Sequence, residues 1–268
     1  MNQEEWELHP IPGQSGDAYM GVRYDEKLFF KRNTSPFVAT LAAAGLVPKL
    51  KWTERTYSGD LLTAQEWSDG RILNREDMYQ QRIVDLIYHI HHSEHLLIML
   101  KRVGGRIYAP QDFIEAYQTN LPPSLQTHQY FNSIIHDLQN HINSSLMDVP
   151  LSVCHGDLNH HNFIEQTDGK LYIVDWEEVK IADPVSDLTQ FLLQYFPPSQ
   201  WDQWLANYGV KIDSNYMERI EWYSVINCLR LIKQFYIEGR LYEANQTIIQ
   251  LKPIYQQLRK RYYDETAP

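Results

Sequence analysis

The sequence predicts an α+β protein of two unequal lobes: residues 1–67 form a small five-stranded antiparallel lobe with one helix, and residues 68–268 form a larger, mainly helical lobe. Three observations carry this. The first 67 residues read as mostly strand, in short runs separated by polar turns. Near Asp69-Gly70 the period lengthens to that of a helix and stays there for most of the chain. Only around 151–175 does it return briefly to strand.

In order, 6–11 reads as a first strand, and 17–24 and 27–32 form a hairpin across the polar pair Asp25-Glu26. A helix follows, with Ser35 as N-cap, Pro36 at its first position and Gly45 just past the apolar run 37–44. Pro48 ends any continuation. Residues 50–57 and 61–67 make a second hairpin around Ser58-Gly59-Asp60.

Beyond Gly70, Asn74 is placed to cap a helix with Glu76 and Asp77 in its first turn and Ile83, Leu86, Ile87 and Ile90 on its apolar face. Another amphipathic run covers 130–146. Short strands at 151–154, 162–165 and 171–175 share the turn Thr167-Asp168-Gly169, and 186–195, 201–208, 216–238 and 241–263 read as helices.

A formal charge of −10, from 34 acidic against 24 basic residues, gives no general attraction to nucleic acid or anionic lipid. No run approaches the length of a membrane-spanning helix and the start lacks a signal-peptide pattern, so no membrane partner is expected. Cys154 and Cys228 form no disulfide framework, which fits a reducing cytoplasm.

The densest chemistry lies in Cys154-His-Gly-Asp-Leu-Asn-His-His-Asn162 and in the strand ending at Asp175. His155, Asp157 and Asn162 have the spacing H-x-D-L-x-x-x-N. That spacing lets a carboxylate face an acceptor hydroxyl while an amide oxygen further along coordinates a metal. Asp175, ending an apolar strand, adds a second oxygen ligand, and oxygen donors with water and phosphate suit Mg²⁺. A dissociative phosphoryl transition state needs charge neutralisation and positioning more than a strong nucleophile, which explains these residue types.

This segment resembles the aminoglycoside phosphotransferase and choline kinase superfamily, whose H-G-D-x-x-x-x-N loop and following hydrophobic strand ending in D appear here as His155-Gly156-Asp157 through Asn162 and Ile173-Val174-Asp175. The resemblance implies a bilobal protein-kinase-like fold and ATP with Mg²⁺ as cofactors. It also implies a catalytic base at Asp157 and metal ligands at Asn162 and Asp175. His155 would brace the loop, and Asp187, in Asp183-Pro184-Val185-Ser186-Asp187-Leu188, would support it from a helix start.

Upstream, Lys31 resembles the family's phosphate-binding lysine on the third strand, and alternation puts it on one face with Phe29. The small residues of Pro12-Gly13-Gln14-Ser15-Gly16 suit a loop covering phosphates through Gly13, Ser15 and Gly16. Gln65-Glu66-Trp67 falls where the family's hinge meets adenine, and Gly70 where it often has a glycine. One departure stands out: the helix at 35–44 contains no Asp or Glu, so the usual acidic partner of Lys31 is missing from its expected place.

The function expected is transfer of the γ-phosphate of ATP to the hydroxyl of a small cationic alcohol such as choline, ethanolamine or a thiamine-like compound. The cation is suggested by aromatic and acidic residues beyond Asp175, with Trp176, Glu177 and Trp222 as candidate contacts alongside Glu178, Tyr195, Trp201, Trp204 and Tyr223. Alternatives are an aminoglycoside or sugar kinase, or a nucleotide-binding pseudokinase scaffold, the latter motivated by the missing partner of Lys31. The short segment between Asp175 and Asp183 leaves little room for a peptide platform. Two weaker constellations are a metal site at His89, His91, His92 and His95 and a nucleophile at Cys154. The acceptor's identity and the oligomeric state stay open.

Overall fold

The computed structural model describes residues 6–11 and 17–264 of the 268-residue chain. Contacts divide it into two compact units: one takes in residues up to Met78 with 98–104 and 159–178, the other 79–97, 105–158 and the chain from Val179 onward.

The first unit is built on a five-stranded sheet. Strands β1 (Glu7–Pro10), β2 (Ala18–Arg23), β3 (Glu26–Arg32), β4 (Leu50–Arg55) and β5 (Leu61–Glu66) lie in the order β1-β2-β3-β5-β4, with every pairing antiparallel. Alternation along β3 sends Leu28 and Phe30 into a core with Ala64, against which Trp6, Tyr19, Trp52 and Leu62 pack. Gly21 is required by this packing, because a Cβ there would lie 2.1 Å from the Phe30 ring. The β2–β3 turn falls on Tyr24-Asp25, one residue earlier than the polar pair suggested, and Tyr24 takes a positive φ of 52°.

Helix α1 (Phe37–Ala43) starts one residue later than expected, with Pro36 rather than Ser35 at the cap position, while Ser35 Oγ accepts the Phe37 N–H at 3.3 Å and satisfies one otherwise orphaned donor. It ends at Gly45, whose φ of +71° only glycine adopts without strain. The unit's second sheet joins β6 (Arg71–Ile72), β8 (Phe163–Glu165) and β9 (Leu171–Ile173) in the order β6-β8-β9. Gly70 leads into it, and a Cβ there would come within 2.6 Å of the Glu165 carbonyl oxygen. Asn74 acts as a cap: its Oδ1 accepts the Asp77 N–H at 3.0 Å while its own N–H donates to Asp77 Oδ2 at 2.9 Å. The capped element is a 3-10 turn, Glu76–Tyr79, and α2 (Gln81–His91) begins separately after it.

The second unit is mainly helical. Helix α3 (Glu94–Arg102) follows α2 in sequence, its residues from Ile98 on belonging to the first unit. The run expected at 130–146 divides into α6 (Gln129–Asn140) and α7 (Ser144–Met147), and α4 (Pro110–Gln118) and α5 (Pro123–Gln126) precede it. Strands β7 (Ser152–Cys154) and β10 (Lys180–Ala182) pair antiparallel. Then come α8 (Val185–Tyr195), α9 (Trp201–Tyr208), α10 (Ser214–Ile237) and α11 (Leu241–Asp264).

Helix α8 is buried around its whole circumference, which marks it as the unit's central element. Asp183 starts it by accepting the Val185 N–H at 2.9 Å, and Arg219 neutralises the same carboxylate. The middle of α10 is equally buried, with Trp222 and Tyr223 at 0% exposure. Full burial of a large aliphatic or phenylalanine side chain contributes about 1.5–3 kcal/mol. Among the described residues, no helix is long and apolar enough to cross a membrane.

Candidate active site

In the second unit, the loop leaving β7 is held by one carboxylate. Asp187, in the first turn of α8 and 2% exposed, accepts the His155 N–H on Oδ2 at 2.6 Å and the Gly156 N–H on Oδ1 at 3.0 Å. Gly156 has a φ of +86°, so the bend that aims both N–H groups at Asp187 needs glycine. His155, fully buried, turns its Nδ1 back to accept the Asp157 N–H at 3.2 Å. Asp157 itself is half-buried.

Asp187 has a further neighbour. His91 Nε2 lies 3.2 Å from Asp187 Oδ2, and His91 Nδ1 lies 2.8 Å from the Tyr208 hydroxyl. Burial alone would raise the Asp187 carboxyl pKa, but the His91 hydrogen bond and the electrostatic pull of His91, His155 and Lys180 outweigh it and hold it below the ordinary value.

In the first unit, Asn162 closes a 3-10 turn, His160–Asn162, capped by Asn159, whose side chain accepts the His161 N–H at 3.2 Å. The Val174 N–H donates to the Asn162 carbonyl at 2.8 Å, which ties Asn162 to the residue before Asp175. Asp175 has a φ of +63°, a left-handed backbone uncommon for a residue other than glycine. Lys31 Nζ lies 3.2 Å from Asp175 Oδ1 and 2.6 Å from Glu177 Oε1. Burial works to lower the Lys31 pKa, but hydrogen bonding to Glu177 and the charge of Asp175 prevail and leave it raised.

The acid absent from α1 is therefore replaced by two carboxylates from another segment. Glu177 sits in a 3-10 turn, Trp176–Glu178, anchored by the Trp176 indole N–H donating to Ile173 O at 2.7 Å and by an edge contact with Phe37, ring centroids 6.1 Å apart. An amide side chain and a carboxylate tied through neighbouring backbone are hard oxygen donors of the kind Mg²⁺ accepts.

Other expectations fare differently. Gly13, Ser15 and Gly16 lie outside the described residues. The Glu66 N–H, one of the groups expected to meet adenine, is committed to Lys49 O at 2.9 Å, and its carboxylate pairs with Lys51 at 2.9 Å. The Trp67 indole N–H donates to Asp69 at 2.9 Å. Trp222 does not face a substrate: it is fully buried and its indole N–H donates to Leu138 O at 3.1 Å. Tyr195, Trp201, Trp204 and Tyr223 are buried helix-packing residues too. Glu177, read as a substrate carboxylate, is engaged by Lys31, and Trp176 is half-buried against Phe37.

The histidines expected to share a helix do not form one chelate, because α2 ends at His91 and His95 belongs to α3. Both ring nitrogens of His91 are engaged. Cys154 is buried beside carbonyl oxygens, and burial with the nearby Asp187 charge pushes its thiol pKa up, the reverse of an activated nucleophile.

Reading the sequence missed three contributors: Glu177 as partner of Lys31, and His91 and Tyr208 behind Asp187. The absence of an acid from α1 was the one signal pointing to the first. Nothing in the spacing pointed to the others.

Solved structures share this fold. Choline kinase LicA from Streptococcus pneumoniae is 18% identical, with 92% of this chain and 94% of that one covered at a TM-score of 0.66, and LicA is also solved in complex with AMP. An ethanolamine kinase from Plasmodium vivax is 13% identical, with 94% and 82% covered and a TM-score of 0.62. The GDP complex of aminoglycoside 2'-phosphotransferase-IIIa is 14% identical, with 94% and 93% covered and a TM-score of 0.60. The expected protein-kinase-like α+β architecture and the superfamily resemblance are thus borne out. A family model matches residues 25–223, from the β2–β3 turn to α10, and the chain belongs to the phosphotransferase enzyme family.

Proposed function

We propose that the protein transfers the γ-phosphate of ATP to the hydroxyl of a small molecule. The observation that carries this reading is the cluster of Asn162, Asp175 and Lys31: two oxygen donors tied through the Val174 N–H and an ammonium 3.2 Å from the carboxylate. Oxygen ligands beside a cation are what a metal-bound phosphate chain requires.

In this mechanism Asp157, five positions before Asn162 in the same motif, orients the acceptor hydroxyl and takes its proton. The hydroxyl oxygen forms its bond to the γ-phosphorus as the bond from that phosphorus to the β,γ-bridging oxygen breaks, leaving ADP. Asn162 and Asp175 would hold Mg²⁺, which when bound neutralises charge on the phosphate oxygens. Lys31 adds a fixed positive charge. His155 and Asp187 keep the Asp157 backbone in place through the hydrogen bonds already described.

For the acceptor we favour a small amino or ammonium alcohol, with an aminoglycoside or sugar as the alternative. The chain's charge of −10 supports a cation. So do the names of the fold's relatives, which act on choline or ethanolamine or modify aminoglycosides. Aromatic richness no longer supports it, because most of those rings are buried. The pseudokinase reading loses its motive, since Lys31 has two acidic partners.

The test is a screen with γ-labelled ATP and magnesium over choline, ethanolamine, thiamine, aminoglycosides and sugars. Label transferred to an acceptor by the wild type and not by Asp157→Ala supports the reading. No product above the Asp157→Ala background on any of them contradicts it.

A further inference from the structure

The geometry around Lys31 points to a role for Glu177, one that rests on the kinase reading above. We propose that Glu177 is a positioning residue: the counter-ion that holds the Lys31 ammonium towards nucleotide phosphate once Asp175 turns to a divalent cation.

The argument begins with Lys31, whose side chain is only 15% exposed and so needs a counter-charge. Two carboxylates meet it, Glu177 at 2.6 Å and Asp175 at 3.2 Å. Asp175 has a second claim on it in the proposed mechanism, as a metal ligand. A carboxylate drawn to a divalent cation is a weaker partner for an ammonium, because its charge is largely neutralised. The proposed mechanism gives Glu177 no such competing role, and Glu177 makes the shorter contact.

Among the described residues, no other acid is ion-paired with Lys31. Helix α1 has none, Glu66 is paired with Lys51, and Asp77 and Glu165 are both on Arg71. The turn carrying Glu177 is fixed rather than loose: Trp176 is bonded to Ile173 O and packed on Phe37, the first residue of α1. An acid usually expected from that helix is thus delivered from the turn that packs against its start.

The consequence is a metal-dependent effect. Without magnesium, Asp175 can still serve Lys31, and removing the Glu177 charge matters little. With magnesium, Glu177 is the remaining partner.

The test measures ATP dissociation constants by calorimetry, with and without magnesium, for wild type, Glu177→Gln, Glu177→Asp, Lys31→Met and the double variant Lys31→Met/Glu177→Gln. Melting temperatures are compared alongside; Glu177 is 50% exposed, and its isosteric variant should fold normally. Expected for Glu177→Gln is about tenfold weaker binding of magnesium-ATP, the scale of one charged hydrogen bond. Without magnesium the loss should be under about threefold, and Glu177→Asp should restore most of the affinity. In the Lys31→Met background, Glu177→Gln should have no further effect.

Unchanged magnesium-ATP affinity in Glu177→Gln, or an equal loss when Lys31 is already gone, overturns the proposal alone, provided the wild type binds ATP and shows Asp157-dependent transfer. A wild type that does not bind ATP overturns the kinase reading and this proposal together.

Discussion

His91 Nε2 meets Asp187 Oδ2 at 3.2 Å, and the same carboxylate receives the N–H groups of His155 and Gly156. One buried anion thus fixes both a helix end and the loop carrying Asp157. Removing a partner from a buried charged cluster leaves unpaired donors and costs about 3–5 kcal/mol. Asp187→Ala should lower the urea midpoint accordingly, and activity should fall further than stability alone explains, because the Asp157 backbone loses its brace.

The same carboxylate gives a pH dependence. Its folded pKa lies below the ordinary 3.8, so the unfolded state binds the proton more readily. The stabilisation is fully present above pH 3.8 and is lost as pH falls from there through the lower folded value. Urea midpoints measured from pH 7 down to pH 3 should show an acid-side decline in the wild type that is reduced in Asp187→Asn.

Asp157→Asn keeps the size and backbone contacts of the side chain and removes its basicity. Turnover should drop by about 10²–10⁴-fold, the usual contribution of a general base, while ATP affinity measured by calorimetry stays within about twofold.

Trp222 separates packing from recognition. Trp222→Ala should destabilise the fold by about 3–5 kcal/mol, as for other buried tryptophans. Trp222→Phe should be milder and leave the acceptor KM unchanged; a raised KM with unaltered stability would return Trp222 to the substrate.

Gly70→Ala sets a Cβ against the Glu165 backbone oxygen at 2.6 Å, where no flexible side chain can yield. A loss of about 1–3 kcal/mol in denaturant unfolding is expected.

These outcomes bear on what the sequence made legible. The ends of α1 were readable because their cues are local: Ser35 before the helix and Gly45 after it act within a few residues. Lys31 was readable as a strand residue with a defined face, yet its partners were not. Asp175 lies 144 positions away, and Glu177 sits in a segment read for another role. The β2–β3 turn was misplaced by one residue because Tyr24, not a typical turn former, takes the left-handed backbone. The aromatics beyond Asp175 misled for a different reason: composition reports that rings are present, while the all-round burial of α8 and mid-α10 decides what they touch.

The central claim is phosphoryl transfer dependent on Asp157, and the most direct measurement is ³¹P NMR of the purified protein with ATP, magnesium and an amino or ammonium alcohol. The prediction is loss of the γ-phosphate signal with growth of a phosphomonoester resonance and ADP, present in the wild type and absent in Asp157→Ala. A γ-phosphate that is untouched across the acceptor panel, or a phosphomonoester formed equally by both proteins, would contradict it.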